Sequence, residues 1–204
     1  MAGLLLAAGG GRRLGGRPKA LLDHRGRPLV EHAARVLREG GCGPVHIVLG
    51  AAADTVRRVA DLTTYDTSDN PDWAQGMGSS LRVGLTALAG SEADAVVVSL
   101  VDQPGIGAAA VARVVAAYDG PDSLAAAAYG GRRGHPVLFG SARWADIAAS
   151  AEGDRGARAY LQRHAEAIRL VECSDVAEAY DIDTPEDLHR LEGPGDRGAS
   201  SNRE

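Results

Sequence analysis

The sequence predicts an α/β fold, a parallel sheet covered by helices on both faces. Three observations carry that expectation. Short apolar runs alternate with longer stretches of helical periodicity along the whole chain, and such β–α alternation favours parallel strands joined by crossover helices. Runs such as Ala-Val-Val-Val-Ser-Leu-Val at 95–101 are apolar almost throughout, as strands buried on both faces are. Glycine, proline and acidic residues gather just after the strands, where open parallel sheets hold their ligands.

The elements follow in order. Residues 3–8 form the first apolar run and lead into a glycine-rich loop. Residues 28–40 are a helix, with Leu29, Ala33, Val36 and Leu37 on one 3.6-residue stripe. A strand over 45–50, a helix over 54–61 and a strand over 63–67 come next, then a helix over 79–89 carrying Leu81, Leu85 and Leu88. The central strand 95–101 precedes a helix over 107–118, a strand over 124–129, helices over 141–150 and 157–164, and a strand over 168–173. Thr184-Pro185-Glu186-Asp187 then reads as a helix start: a cap residue, a first-turn proline and acids at the positive helix end. The sequence divides into one domain over 1–191 and a polar, turn-rich tail over 192–204 that is expected to be disordered.

Composition sets bounds on function. The chain has 204 residues, 45% hydrophobic and 24% charged, which suits one globular domain whose core is filled by Ala, Val and Leu. A formal charge of −5 argues against a general nucleic-acid binder, though a few local cations can hold a nucleotide. Cys42 and Cys173 have no metal-ligand spacing and suggest no disulfide framework. No apolar run reaches the roughly 18–20 residues of a membrane span, and a cytoplasmic location is expected.

The loop after the first strand is rich in small residues over 7–11, which lets backbone N–H groups approach an anion. Arg12, Arg13, Arg17 and Lys19 add positive charge around it, as a triphosphate site needs. The plain alternative is a flexible loop with solvated arginines. Neither a Gly-Lys-Ser/Thr ending nor a directly following helix is present, so a P-loop and a dinucleotide fingerprint both fit poorly.

Leu6-Ala7-Ala8-Gly9 followed by Arg13-Leu14-Gly15 and Lys19 resembles the signature of the MobA-like nucleotidyltransferase family, which includes the molybdenum cofactor guanylyl- and cytidylyltransferases. The likeness continues through the stretch Gly26 to His32, Asn70-Pro71-Asp72-Trp73, Gly76-Met77-Gly78-Ser79-Ser80-Leu81, Asp102-Gln103-Pro104, the stretch Gly134 to Phe139, and the stretch Asp181 to Leu188. Leu-Ala-Ala-Gly, Asp-Gln-Pro and Gly-His-Pro-Val-Leu-Phe are most similar to the cytidylyltransferase branch.

The resemblance implies a three-layer α/β/α, Rossmann-like nucleotidyltransferase fold with a mostly parallel mixed sheet. It also implies an enzyme that uses Mg²⁺, or Mn²⁺, to transfer CMP from CTP to the phosphate of molybdenum-loaded molybdopterin, releasing pyrophosphate. A molybdenum hydroxylase apo-enzyme would receive the product, and neither nucleic acid nor membrane is an expected partner. Catalytic roles fall on Arg13, Lys19 and Asp102, with Leu6, Ala7, Ala8, Gly9, Gly10, Lys19, Asp69 and Ser79 holding the nucleotide.

Asp102 follows a buried strand, so a carboxylate there is placed either to hold Mg²⁺ or to close a turn on its own backbone. The resemblance favours the metal and makes Asp183 the second ligand, with Asp181 a weaker candidate; guanylyl relatives carry Asn at the position of Asp183. Ser79 or Ser80 is expected to cap the helix at 79–89, and the glycines flanking Met77 suggest close approach by a ligand. Ser80, Arg132, His135 and Asp154 are expected on the acceptor side, the arginines because they pair well with phosphate. Two solvated loop arginines would look the same.

Rival readings are a guanylyltransferase, another nucleotidyltransferase acting on a different phosphorylated acceptor, and a catalytically silent nucleotide-binding delivery module. A dinucleotide-dependent oxidoreductase fits least, because Lys19 and Arg13 crowd the loop and no helix follows it.

Overall fold

Period-two alternation sends the side chains of strand β1 (Ala2–Ala7) into two separate cores. Leu5 and Ala7 face one, while Ala2, Leu4 and Leu6 face the other. The computed structural model describes residues 1–191; the expected tail over 192–204 lies outside the described residues.

After β1 the chain makes two 3₁₀ turns, Arg12–Leu14 and Lys19–Leu21, and a small hairpin of β2 (Asp23–His24) and β3 (Arg27–Pro28). Helix α1 (Leu29–Glu39) returns to β4 (Val45–Leu49), and α2 (Ala53–Val59) leads to β5 (Asp66–Asp69). A 3₁₀ turn, Trp73–Gln75, precedes α3 (Met77–Leu88) and the central strand β6 (Ala95–Leu100). Helix α4 (Ala108–Val115), the strands β7 (Leu124–Tyr129) and β8 (Arg132–Gly140), and helix α5 (Trp144–Ser150) follow. The described chain finishes with α6 (Arg158–Arg163), β9 (Arg169–Glu172) and a 3₁₀ helix, Pro185–Arg190.

Seven strands form one sheet in the order β5-β4-β1-β6-β8-β7-β9. Only β8 runs against its neighbours: it is antiparallel to β6 and β7, and the other pairs are parallel. Buried residues of α1, α2 and α4 pack on one face, with Leu29, Leu37, Val56, Val111 and Val114 in the first core. Those of α3, α5 and α6 cover the other, with Leu81, Leu85, Ile147 and Leu161 in the second. The result is the expected three-layer α/β/α architecture with a mostly parallel mixed sheet.

Three differences from the sequence-based expectation have physical causes. The third strand lies over Asp66–Asp69 rather than 63–67, because it is a sheet edge of polar residues and carries no apolar signal. Strand β8 begins within what reads as a cationic loop. Its Pro136 falls in the gap of the β7 ladder between the Ala126–Val137 and Ala128–Arg133 pairs, where a missing N–H costs little. Helix α3 starts at Met77 with Gly76 as its N-cap residue, so neither Ser79 nor Ser80 caps it. The helix start at Thr184-Pro185 is present as a short 3₁₀ helix, with the Asp187 carboxylate accepting from the N–H groups of Asp183 (3.0 Å) and Thr184 (2.9 Å).

Candidate active site

The parallel strands β1, β4, β5 and β6 bring their carboxyl ends to one edge of the sheet. From β1 the sheet runs one way to β4 and the other way to β6, a reversal that opens a crevice in α/β folds. A two-lobed cleft lies there. The first lobe, about 530 Å³, is lined by the glycine-rich loop with Arg12, Arg13 and Lys19, by Trp73, and by Asp102 and Asp183. The second, about 670 Å³, is lined by Tyr129, Arg132, Arg133 and His135 of the β7–β8 hairpin, and by Arg155 and Arg158. Leu6, Met77, Leu100, Asp154 and Asp181 line both, so the lobes meet.

The glycine-rich loop is fixed by its own backbone. Gly11 takes a left-handed φ of 60°, and a Cβ there would lie 1.8 Å from the Arg17 carbonyl oxygen, so only glycine lets the loop close. That closure carries the chain into the turn Lys19–Leu21 and turns Lys19 back toward the sheet. The Lys19 ammonium donates to Asp102 Oδ2 at 2.6 Å and also to Asp183 Oδ1. Arg13 stands 3.7 Å from Asp183 Oδ2. Asp102 extends the line of β6, and its carbonyl accepts from the Ile182 N–H at 2.9 Å, which draws the segment carrying Asp181 and Asp183 against it. The two acids come from positions 81 apart in sequence and converge on one cation.

Burial shapes the charges. The side chains of Lys19 and Asp102 are 14% and 18% exposed, whereas Asp183 is 41% exposed. Burial opposes the charged form of Lys19, but the Asp102 and Asp183 carboxylates outweigh it and hold the ammonium above its usual pKa. Burial pushes the Asp102 carboxyl upward, with Lys19 pulling the other way. Burial and the Lys19 ammonium thus act on Asp102 in opposite senses, while Asp183 lies between Lys19 and Arg13.

The second lobe carries cations of another kind. Arg132 and Arg133 are exposed on a hairpin whose turn is held by Glu172, which accepts from the Gly130 and Gly131 N–H groups at 3.2 and 3.1 Å. His135 lines this lobe, and burial pushes its imidazole pKa down to about 4, so it is neutral at pH 7. Tyr129 donates its hydroxyl to the His135 carbonyl at 2.7 Å. Gln103 donates to Asp181 Oδ1 at 2.7 Å, while its buried Oε1 has no partner among the described residues.

Of the residues singled out from sequence, Leu6, Ala8, Gly9, Gly10, Arg13, Lys19, Ser80, Asp102, Asp154 and Asp183 line the first lobe. Arg132, His135 and Asp154 line the second. Ala7 is buried in β1 and contributes to neither surface. Three other expected groups make contacts within the protein.

Asp69 ends β5 in a two-pronged pair with Arg57, at 2.7 and 3.1 Å, and stands outside both lobes. Ser79 also lies outside them; its hydroxyl has the Gly76 and Asp72 carbonyls within reach as acceptors at 2.8 and 3.0 Å, and accepts from Asn70 Nδ2. Ser80 reaches the lobe wall, but it too accepts from Asn70, at 2.9 Å. The glycines flanking Met77 make room for protein rather than ligand: a Cβ on Gly76 or Gly78 would strike the backbone of Gly153 or Glu152 at 2.4 and 2.6 Å.

Sequence reading missed Trp73, Arg155 and Arg158 as cleft residues. Trp73 lay within the motif Asn70-Pro71-Asp72-Trp73, and the scarcity of tryptophan, two in the chain, was the available signal.

Comparison with known proteins matches residues 3–168 to the MobA-like NTP transferase domain family. The nicotine blue oxidoreductase of Paenarthrobacter nicotinovorans is 42% identical over 196 residues, covering 93% of this chain and 95% of that protein. A molybdenum cofactor guanylyltransferase of Cereibacter sphaeroides is 33% identical over 193 residues, covering 93% and 94%. Among solved structures, Rv0371c of Mycobacterium tuberculosis H37Rv in complex with manganese superposes with a TM-score of 0.77 at 28% identity, covering 93% of this chain and 96% of that one. The chain belongs to the MobA-like NTP transferase family, as an enzyme of the nucleotidyltransferase type.

Proposed function

We propose that this member of the MobA-like NTP transferase family joins a nucleoside monophosphate, CMP from CTP, to the terminal phosphate of molybdenum-loaded molybdopterin. The observation that carries the reading is the convergence of Asp102 and Asp183 on Lys19 at the mouth of the glycine-rich loop. An acceptor phosphate oxygen is anionic at neutral pH and attacks the α-phosphorus, the bond to the β-phosphate oxygen breaks, and pyrophosphate leaves. No strong general base is needed, which accords with a His135 that is neutral and weakly basic.

The work falls to positioning and charge. Backbone N–H groups over 8–11, with Arg13 and Lys19, would receive the β- and γ-phosphates and the charge that builds on departing pyrophosphate. Arg132 and Arg133 would receive the acceptor's phosphate at the second lobe, with His135 as a neutral hydrogen-bonding neighbour.

The donor set suits a divalent cation. Mg²⁺ favours one or two carboxylates with substrate phosphates filling its remaining positions, and Asp102 and Asp183 already converge on the Lys19 ammonium. These two residues would hold Mg²⁺ or Mn²⁺, which neutralises phosphate oxygens when bound; the manganese complex of the Rv0371c protein supports a site of this kind. The product would pass to a molybdenum hydroxylase apo-enzyme.

The guanylyltransferase relatives make GTP the main rival to CTP. Pyrophosphate release with CTP, GTP, ATP and UTP in parallel, with extracted molybdopterin cofactor as acceptor, decides between them. No release with any NTP, despite nucleotide binding, would leave the delivery-module reading.

One observation favours a second reading. A relative 42% identical over nearly its whole length is named an oxidoreductase. Two nucleosides linked through pyrophosphate have the same outline as the transfer product, so a two-lobed cleft suits a nicotinamide dinucleotide as well. Oxidation of NADH or NADPH by the purified protein with nicotine blue as acceptor, alongside the pyrophosphate assay, separates the two chemistries.

A further inference from the structure

The first lobe has an aromatic wall that the transfer chemistry above does not use. Trp73 lies across the tips of two adjacent parallel strands. A Cβ on Gly10, just beyond β1, would come within 2.8 Å of its Cζ3, and one on Gly50, just beyond β4, within 2.6 Å of its Cβ. Gly10 therefore makes room for the indole ring and Gly50 for the root of the same side chain. The ring is half-buried, lines the lobe and belongs to neither hydrophobic core. Trp144, the second tryptophan, differs: it is buried in the second core and donates Nε1–H to the Phe139 carbonyl at 3.0 Å.

The surrounding groups leave one place for the donor's base. Arg12, Arg13 and Lys19 mark the phosphate side of the first lobe, and the second lobe, reached over Met77 and Asp154, shares neither Trp73 nor Ala74. With phosphates on the glycine-rich loop and the acceptor in the second lobe, the nucleoside faces the remaining wall. We infer that Trp73 is the platform on which the donor nucleobase stacks.

The inference rests on the assignment of the triphosphate to the glycine-rich loop. Every base has a π face, so a stacking platform raises affinity for any nucleotide without choosing among bases. Discrimination between CTP and GTP then lies with other groups along this wall.

Intrinsic fluorescence of the full-length protein tests this, because Trp144 is buried away from the cleft. The ligands are CTP, GTP and inorganic tripolyphosphate, each with Mg²⁺, and calorimetry measures binding independently of the optical signal. CTP and GTP should both change Trp73 emission, while tripolyphosphate binds with little change. Trp73→Ala should weaken both nucleotides about 5- to 150-fold, the range of one base–aromatic stack, and leave tripolyphosphate within about 2-fold. Trp73→Phe, which keeps a π face and the packing against Gly10, should recover most of the lost affinity and guards against a misfolded alanine variant. Equal weakening of tripolyphosphate and nucleotides would reduce Trp73 to a buttress of the loop and overturn the inference, as would unchanged nucleotide affinity in Trp73→Ala. Failure of the unaltered protein to bind tripolyphosphate would instead overturn the phosphate assignment, and the stacking inference with it.

Discussion

Two polar clusters stand at the carboxyl edge of the sheet, built in opposite ways. Asn70, only 2% exposed, donates to Ser79 and Ser80 at 2.8 and 2.9 Å and accepts the Asp72 N–H at 3.0 Å. Its own N–H donates to the Leu49 carbonyl at 2.7 Å, so one neutral residue ties β4 to the first turn of α3. That cluster is uncharged and buried, and the Asn70 amide meets its partners within it. Lys19, Asp102 and Asp183 form the other, which is charged, opens into the cleft and leaves carboxylate lone pairs free beyond one ammonium. The first cluster is internal to the fold, and in the proposed function the second serves ligands. Buried polar residues at a sheet edge can do either job, and the difference lies in whether their hydrogen-bonding capacity is already filled.

Substitutions should separate the two. The largest effect is expected for Asp102→Asn, which should cut pyrophosphate release on the order of 10²–10³-fold. Asp183 still pairs with Lys19 in that variant, so thermal unfolding should shift less than in the Asn70 variant. Near-normal turnover in Asp102→Asn with the correct acceptor would falsify the charged cluster's catalytic role.

Asn70→Ala should show the reverse pattern. It leaves two buried serine hydroxyls without their donor, a loss of about 1–3 kcal/mol readable by urea denaturation. An Asn70→Ala protein as stable as the original but unable to bind nucleotide would erase the distinction.

Acid titration probes buried groups that stand outside both clusters. Burial holds His32 and His135 down to about 4 in the folded chain, against 6.5 for an ordinary imidazole. The unfolded chain therefore binds more protons between these values. Stability from the neutral imidazoles is complete above about pH 6.5 and falls as pH drops toward 4. Unfolding free energies measured across that window should fall with a shallower slope in His135→Gln; an unchanged slope would show that His135 contributes nothing to it.

The smallest effect is expected for Asp69→Asn. Its pair with Arg57 is surface-exposed, so stability should change by less than about 1 kcal/mol and the KM for nucleotide should hold. A raised KM there would support the expected contact of Asp69 with the nucleotide.

Much of this was legible in the residues. Continuous apolar runs announced β1 and β6, and the 3.6-residue stripe of Leu29, Ala33, Val36 and Leu37 announced α1, because core burial writes its period directly into sequence. The loop over 7–11 and the acids following strands were visible as chemistry for the same reason: their residue types are costly elsewhere. Strand β8 was hidden because its first half is arginine, glycine, histidine and proline, and its pairing depends on a break in the β7 ladder that no local pattern records. The contacts of Ser79 with Asn70 and with the Asp72 and Gly76 carbonyls could not be read in advance, because sequence lists hydrogen-bonding capacity without showing where it is met.

By itself, then, the sequence determined the α/β class, the glycine-rich loop and the acidic positions, all of which follow from local composition and periodicity. Only the tertiary structure decided which polar groups remain open. Lys19 meets Asp102 and Asp183 through contacts 83 and 164 residues apart, and Trp73 finds its seat between glycines from two strand tips. Such meetings are set by strand order and loop closure, and the energies that enforce them are summed over the whole sheet rather than carried by any segment of the chain.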